Sequence, residues 1–196
     1  NEALLLSSHK PSKQIIYQRQ QHICKLNMDN DVSWNEFIDL SSTINCVPVD
    51  SNDPLYILHT SGTTGIPKGI VRTNGGHAVS LLNSMKMTYD ISQNDVFWAA
   101  SDVGWVVGHS YIVYAPLLLG CSTVLYEGKP VGTPDAGQFW RVISEYKVKT
   151  MFTAPTAVRA IKKEDAKGKE IKKYDLSRFC LLYTYPSPRD FTESRI

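Results

Sequence analysis

Strand and helix alternate along most of this 196-residue chain, which predicts an α/β fold: a mixed, largely parallel sheet with flanking helices. Three observations carry that expectation. Short apolar runs at 55–59, 95–100 and 149–153 have strand composition, longer stretches with helical spacing lie between them, and glycines or prolines mark the junctions.

Residues 1–54 read as a partial N-terminal segment and connector. Ile15–Tyr17 is a short strand candidate, and Ser33 followed by Glu36 is the spacing of a helix N-cap, for a helix through Leu40. Asn45–Pro54 is rich in turn formers. Leu55–His59 is a strand that runs into a Gly/Thr/Ser loop at 60–69, and Ile70-Val71-Arg72 resumes as strand. Val79, Leu82, Met85 and Met87 predict a helix over 76–87. A strand at 95–100, a buried helical segment at 104–119 and a strand at 122–126 follow. A helix at 134–146, a strand at 149–153 and a helix starting near Pro155 complete the series.

Composition narrows the function classes. Hydrophobic residues make up 42% and charged residues 20%, enough apolar surface for a buried core. Twenty-one Lys and Arg against 19 Asp and Glu leave a net charge of +2, so no electrostatic case exists for nucleic-acid or acidic-membrane partners. Cys24, Cys46, Cys121 and Cys180 lie far apart, which argues against zinc and against a disulfide framework. The apolar stretch 105–126 is broken by His109, Pro116 and glycines, too interrupted for a membrane span. No Asn-x-Ser/Thr site occurs, in keeping with a reducing compartment, and the chain reads as cut at both ends.

The loop His59-Thr60-Ser61-Gly62-Thr63-Thr64-Gly65-Ile66-Pro67-Lys68-Gly69 is the most informative stretch. Its glycines let backbone approach a ligand, its hydroxyls and amides supply neutral donors, and Lys68 adds a positive charge. That chemistry suits a polyphosphate. A Walker A loop is excluded, because Pro67 precedes the lysine and Gly69 follows it.

Thr60–Gly69 resembles the signature phosphate loop of the adenylate-forming superfamily, which includes acyl-CoA synthetases, peptide-synthetase adenylation domains and luciferases. The resemblance implies that Thr60, Ser61, Gly62, Thr63, Thr64, Gly65 and Lys68 grip the ATP phosphates. A second block, Ser101–Tyr111 with Tyr114–Leu117, resembles the short-chain branch, the acetyl- and propionyl-CoA synthetases. There Trp105, Val106, Val107 and His109 would line the acyl pocket and the path of the CoA thiol. Taken alone, Trp105, Val106 and Val107 read as ordinary core, and His109 reads equally as a core histidine or a pocket residue. Val107 stands where acetyl-CoA synthetases usually carry Thr, which implies a more apolar pocket and propionate preferred over acetate.

The blocks 126–137 and 151–159 resemble propionyl-CoA-preferring members, commonly mitochondrial in animals, so a mitochondrial matrix location is expected, with cytoplasm the alternative. Lys129 and Arg159 read equally as CoA-phosphate contacts and as solvated surface. The resemblance covers residues 10–179 and implies a central slice (55–179) of the large N-terminal domain. It also implies ATP, Mg2+ and coenzyme A as reaction partners, with the short-chain carboxylate. No metal ligand and no catalytic residue is expected in this chain: the family's catalytic lysine and adenine-binding segments lie further downstream. Two alternatives stand beside this reading: another adenylate-forming branch, or an inactive truncated isoform that binds nucleotide or a partner. Residues 180–196 depart from the family pattern and resemble a translated sequencing adaptor, so they are expected to be a non-native tail.

Overall fold

The structure, a computed structural model, describes residues 4, 6–60 and 68–184. The chain divides into two compact units, Asn1–Pro48 and Val49–Ile196. In the first, β1 (Gln14–Ile16) runs parallel to β2 (Asp31–Ser33). Ser33 then caps α1 (Trp34–Asp39), its Oγ accepting from the Glu36 amide at 3.2 Å, as the Ser-x-x-Glu spacing predicts.

The second unit opens with an antiparallel hairpin, β3 (Pro54–Thr60) and β4 (Lys68–Thr73). Tyr56 lies opposite Arg72, Leu58 opposite Ile70 and Thr60 opposite Lys68. Side chains alternate along a strand, so these six positions share one face of the hairpin. The hairpin hands directly to α2 (Asn74–Met87). Its buried residues are His77, Leu81 and Met85. Val79 and Met87, expected on the apolar face, are exposed instead, because the inward face includes a histidine that an apolar pattern does not register.

Behind α2 lies a four-stranded parallel sheet in the order β6-β5-β7-β8. Its strands are β5 (Val96–Ala100), β6 (Ser122–Thr123), β7 (Thr150–Thr153) and β8 (Leu181–Thr184). Alternation in β5 and β7 sends side chains into two separate cores. Phe97, Ala99 and Phe152 pack with Leu81, Met85, Tyr89, Ile112 and Leu119 on one face. Trp98 and Met151 pack with Phe139, Trp140, Val142, Ile143 and Ile161 on the other. A sheet covered on both faces must have strands that are apolar throughout, as Val96–Ala100 is.

The first core is closed by one continuous helical run. It comprises α3 (Val106–Gly108), a π-helix (His109–Tyr114) and α4 (Ala115–Leu119), which ends at Gly120 in the left-handed conformation, φ +77°. The second core is closed by α5 (Gln138–Glu145) and α6 (Pro155–Glu164), the latter beginning at a proline as expected. The predicted strand over 122–126 is reduced to Ser122–Thr123, although the Val124 amide still bonds the Phe97 carbonyl at 3.2 Å.

Leu181–Thr184, from the segment set apart in the sequence, pairs with β7 along its length. An open parallel edge accepts any apolar extended segment, so the pairing follows from this segment's chemistry and does not speak to its origin. Among the described residues no helix is long and apolar enough to cross a membrane.

One polar cluster pins the start of β5. Asp95 accepts from the Ser92 amide (2.8 Å), the Ser92 hydroxyl (2.7 Å) and the Lys149 ammonium (3.1 Å). Burial pushes the Asp95 carboxyl up, but these hydrogen bonds and the Lys149 charge outweigh it and hold the pKa below its ordinary value. The unfolded chain therefore binds a proton that the folded chain does not, and the cluster's contribution is complete above the ordinary Asp value of about 4. It is lost as pH falls through the lower, folded value. Thermal melts of the full-length protein between pH 6 and 3 should show a shallower fall for Asp95→Asn than for wild type. Equal slopes would show that the cluster adds nothing.

Candidate active site

In a parallel sheet, ligands bind beyond the carboxyl ends of the strands, where neighbouring connections leave toward opposite faces. That point lies here between β5 and β7. The chain leaving β5 at Ala100 crosses to the first core through the run 106–119, whereas the chain leaving β7 at Thr153 enters α6 on the second. The two strand ends are tied together by the buried Thr153 hydroxyl, which donates to the Ala100 carbonyl at 2.9 Å.

The segment leaving β5 doubles back tightly. Asp102 Oδ1 accepts from the Gly104 amide at 2.7 Å and its carbonyl accepts from the Trp105 amide at 3.2 Å. Gly108 is buried against this turn. A Cβ there would meet the Asp102 carbonyl oxygen at 2.2 Å and Val103 Cα at 2.4 Å, so no side chain fits. This close approach leaves Trp105 at the tip with 70% of its surface exposed. Trp105 and Val106 are thus not core, while Val107 is half-buried against the first core.

His109, at the first position of the π-helix, turns toward the hairpin. Its ring meets Tyr56 of β3 edge-to-face with centroids 5.7 Å apart. Tyr56 is also stacked on Tyr114 (5.9 Å, planes 17° apart) and edge-on to His77 (5.6 Å), with its hydroxyl 3.4 Å from His77 Nε2. Burial, and then the positive charge of Arg72, hold the His77 imidazole below its ordinary pKa, so it is neutral at pH 7. Arg72, opposite Tyr56, leaves its Nε buried without a hydrogen-bond partner among the described residues.

The predicted site residues divide accordingly. Thr60 and Lys68 face each other at the open end of the hairpin, with Lys68 exposed. Ser61, Gly62, Thr63, Thr64 and Gly65 lie outside the described residues. Trp105, Val106, Val107 and His109 are gathered on one turn, and His109 touches the strand that leads into the glycine-rich loop. The strand that leads into the first motif therefore meets the turn that carries the second through Tyr56, which sequence reasoning did not single out. A signal was present: Tyr56 is in phase with Leu58 and Thr60 on its strand. Lys129 and Arg159 are both exposed. Among the described residues no three His, Cys, Asp or Glu side chains gather into a group that could hold a metal.

Comparison with known proteins points to one family. Residues 3–190 match the family described as AMP-binding enzyme, a match that runs into the segment set apart after residue 179. The human protein named acyl-CoA synthetase short-chain family member 3, mitochondrial, is 53% identical over 183 residues, covering 93% of this chain and 27% of that protein. An uncharacterized protein of Pseudomonas aeruginosa is likewise 53% identical over 183 residues, covering 93% of this chain and 29% of its own length. Acetyl-coenzyme A synthetase of Methylobacillus flagellatus is 43% identical over 191 residues, 96% of this chain and 29% of the enzyme. The chain thus spans between a quarter and a third of the length of these relatives. With the family match covering nearly every residue, the chain belongs to the AMP-binding enzyme family.

Proposed function

We propose that the protein carrying this chain is an ATP-dependent short-chain acyl-CoA synthetase that prefers propionate to acetate. The observation that carries the reading is the meeting of the phosphate-loop strand and the Trp105–His109 turn through Tyr56 and His109, at the carboxyl end of the sheet. Such a site brings a polyphosphate and a small acyl group within reach of each other.

In the first step a carboxylate oxygen forms a bond to the α-phosphorus of ATP and the bond to the β-phosphate bridge breaks, releasing pyrophosphate. Lys68 and the hydroxyls of residues 60–64 neutralise the charge that develops on the departing group. In the second, the coenzyme A thiolate attacks the acyl carbon and AMP leaves. Trp105 closes the acyl pocket with a rigid wall, and Val106 and Val107 keep its lining apolar. Residues 55–179 form the slice of the AMP-binding domain that carries these parts. The 196-residue chain alone carries the family's phosphate and acyl motifs only, and is proposed to turn over no substrate. A mitochondrial matrix location is part of the proposal, supported by the name of the human relative.

The test is carboxylate-dependent ATP–pyrophosphate exchange by the full-length protein with acetate, propionate, amino acids and aryl acids. Exchange driven best by an amino or aryl acid would reassign the branch. Val107→Thr keeps the volume of the side chain but adds a hydroxyl to the lining, and should lower the propionate-to-acetate ratio of kcat/KM about tenfold, toward the low end of what one methylene is worth. An unchanged ratio would remove Val107 from the selection of substrate.

A further inference from the structure

We infer that Tyr56 is a specificity-setting positioning residue: from the phosphate-loop strand, its ring props His109 and so fixes the depth of the acyl pocket. This rests on the reading that the 105–109 turn lines that pocket. The geometry of the prop is independent of that reading. Tyr56 is the one ring that contacts all three other members of the group His77, His109 and Tyr114. Tyr114 backs it face-on, and the buried, neutral His77 meets it edge-on with Nε2 near its hydroxyl. Tyr56 therefore cannot swing aside without displacing a second aromatic side chain, and aromatic pairs in these arrangements resist such displacement.

Within this group His109 meets the Tyr56 ring alone. It is half-buried, follows a Gly108 that admits no side chain, and belongs to the same helical turn as Val106 and Val107. Remove the Tyr56 ring and His109 gains room toward the hairpin, so the wall it belongs to recedes. The consequence is a tolerance for a longer acyl chain, imposed from a strand whose own ligand is phosphate.

The experiment uses the full-length protein and reads the ratio of kcat/KM for butyrate to that for propionate, which does not depend on the fraction of enzyme folded. Tyr56→Leu should raise the ratio about tenfold, within the range one methylene commands in an apolar pocket. Tyr56→Phe, which keeps the ring and loses only the hydroxyl, should stay within about twofold of wild type, on the same scale. Tyr114→Leu removes the backing ring and should move the ratio in the same direction, which covers the case in which Tyr56→Leu is insoluble. A purely architectural role would lower both activities together and leave the ratio fixed in both Leu variants, and that result overturns the inference. So does a Phe variant that shifts as far as the Leu variant. Wild-type protein that exchanges pyrophosphate with no short-chain acid overturns the functional reading and this inference with it. Wild-type exchange combined with an unmoved ratio overturns the inference alone.

Discussion

Lys68→Ala in the full-length protein should cut carboxylate-dependent ATP–pyrophosphate exchange by about 10²–10³, the usual cost of deleting a group that meets charge developing in a transition state. Lys68 opens β4 directly across from Thr60, where the hairpin gives way to the glycine-rich loop, and its side chain is exposed. Exposure makes the prediction clean. Few packing contacts are lost, so the melting temperature should hold within a degree or two, as surface substitutions usually allow. Lys68→Arg keeps the charge but presents it on a planar fork, and should recover only part of the rate. Exchange kinetics alongside thermal melts separate the two effects. Full activity in the Ala variant would detach this lysine from phosphate chemistry.

Trp98→Ala should be the most damaging single truncation in the fold, costing about 3–5 kcal/mol in chemical denaturation. Trp98 is fully buried in the middle of β5, where it pairs with Met151 of β7. Its ring packs on Phe139 with centroids 4.8 Å apart and on Tyr126 at 5.4 Å, anchoring α5 and the segment after β6 to one face of the sheet. Its indole N–H finds no hydrogen-bond partner among the described residues. An unpaired buried donor is a standing cost, so Trp98→Phe gives up ring volume but also removes that cost. The Phe variant should therefore lose far less than the Ala variant. Similar losses in both would mean that the outer ring of the indole supplies most of the packing.

Elements whose signal is local were legible from sequence. Ser33 caps α1 through the spacing that announced it, Pro155 starts α6, and β5 and β7 lie within a residue of their expected bounds. Each depends on a few adjacent side chains. The inward face of α2 was misjudged because His77 occupies it, held by contacts with Tyr56 and Tyr114 that come from other elements. The stretch 104–119 was read as one buried helix. It begins instead at Val106, with Trp105 exposed, because Gly108 packs on the Asp102–Val103 backbone. The two halves of the candidate site were each recognisable as motifs. Their meeting was not, since the contact between Tyr56 and His109 depends on how the hairpin seats against the helical run, and no spacing along the chain encodes that.

The π-helix at His109–Tyr114 carries a constraint of a different kind. In this stretch the Ala115 amide bonds to the Ser110 carbonyl five residues back, so the turn holds one residue more than an α-turn would. Deleting any one of the six would let the run close as ordinary α-helix and rotate everything on one side by about 100° relative to the other. His109 and Tyr114 could then no longer flank the same Tyr56 ring while Ala115 and Leu119 remain in the first core. A point substitution here alters one contact, whereas a change of length alters all of them. The number of residues between Gly108 and Ala115 thus constrains the packing more tightly than their identities do.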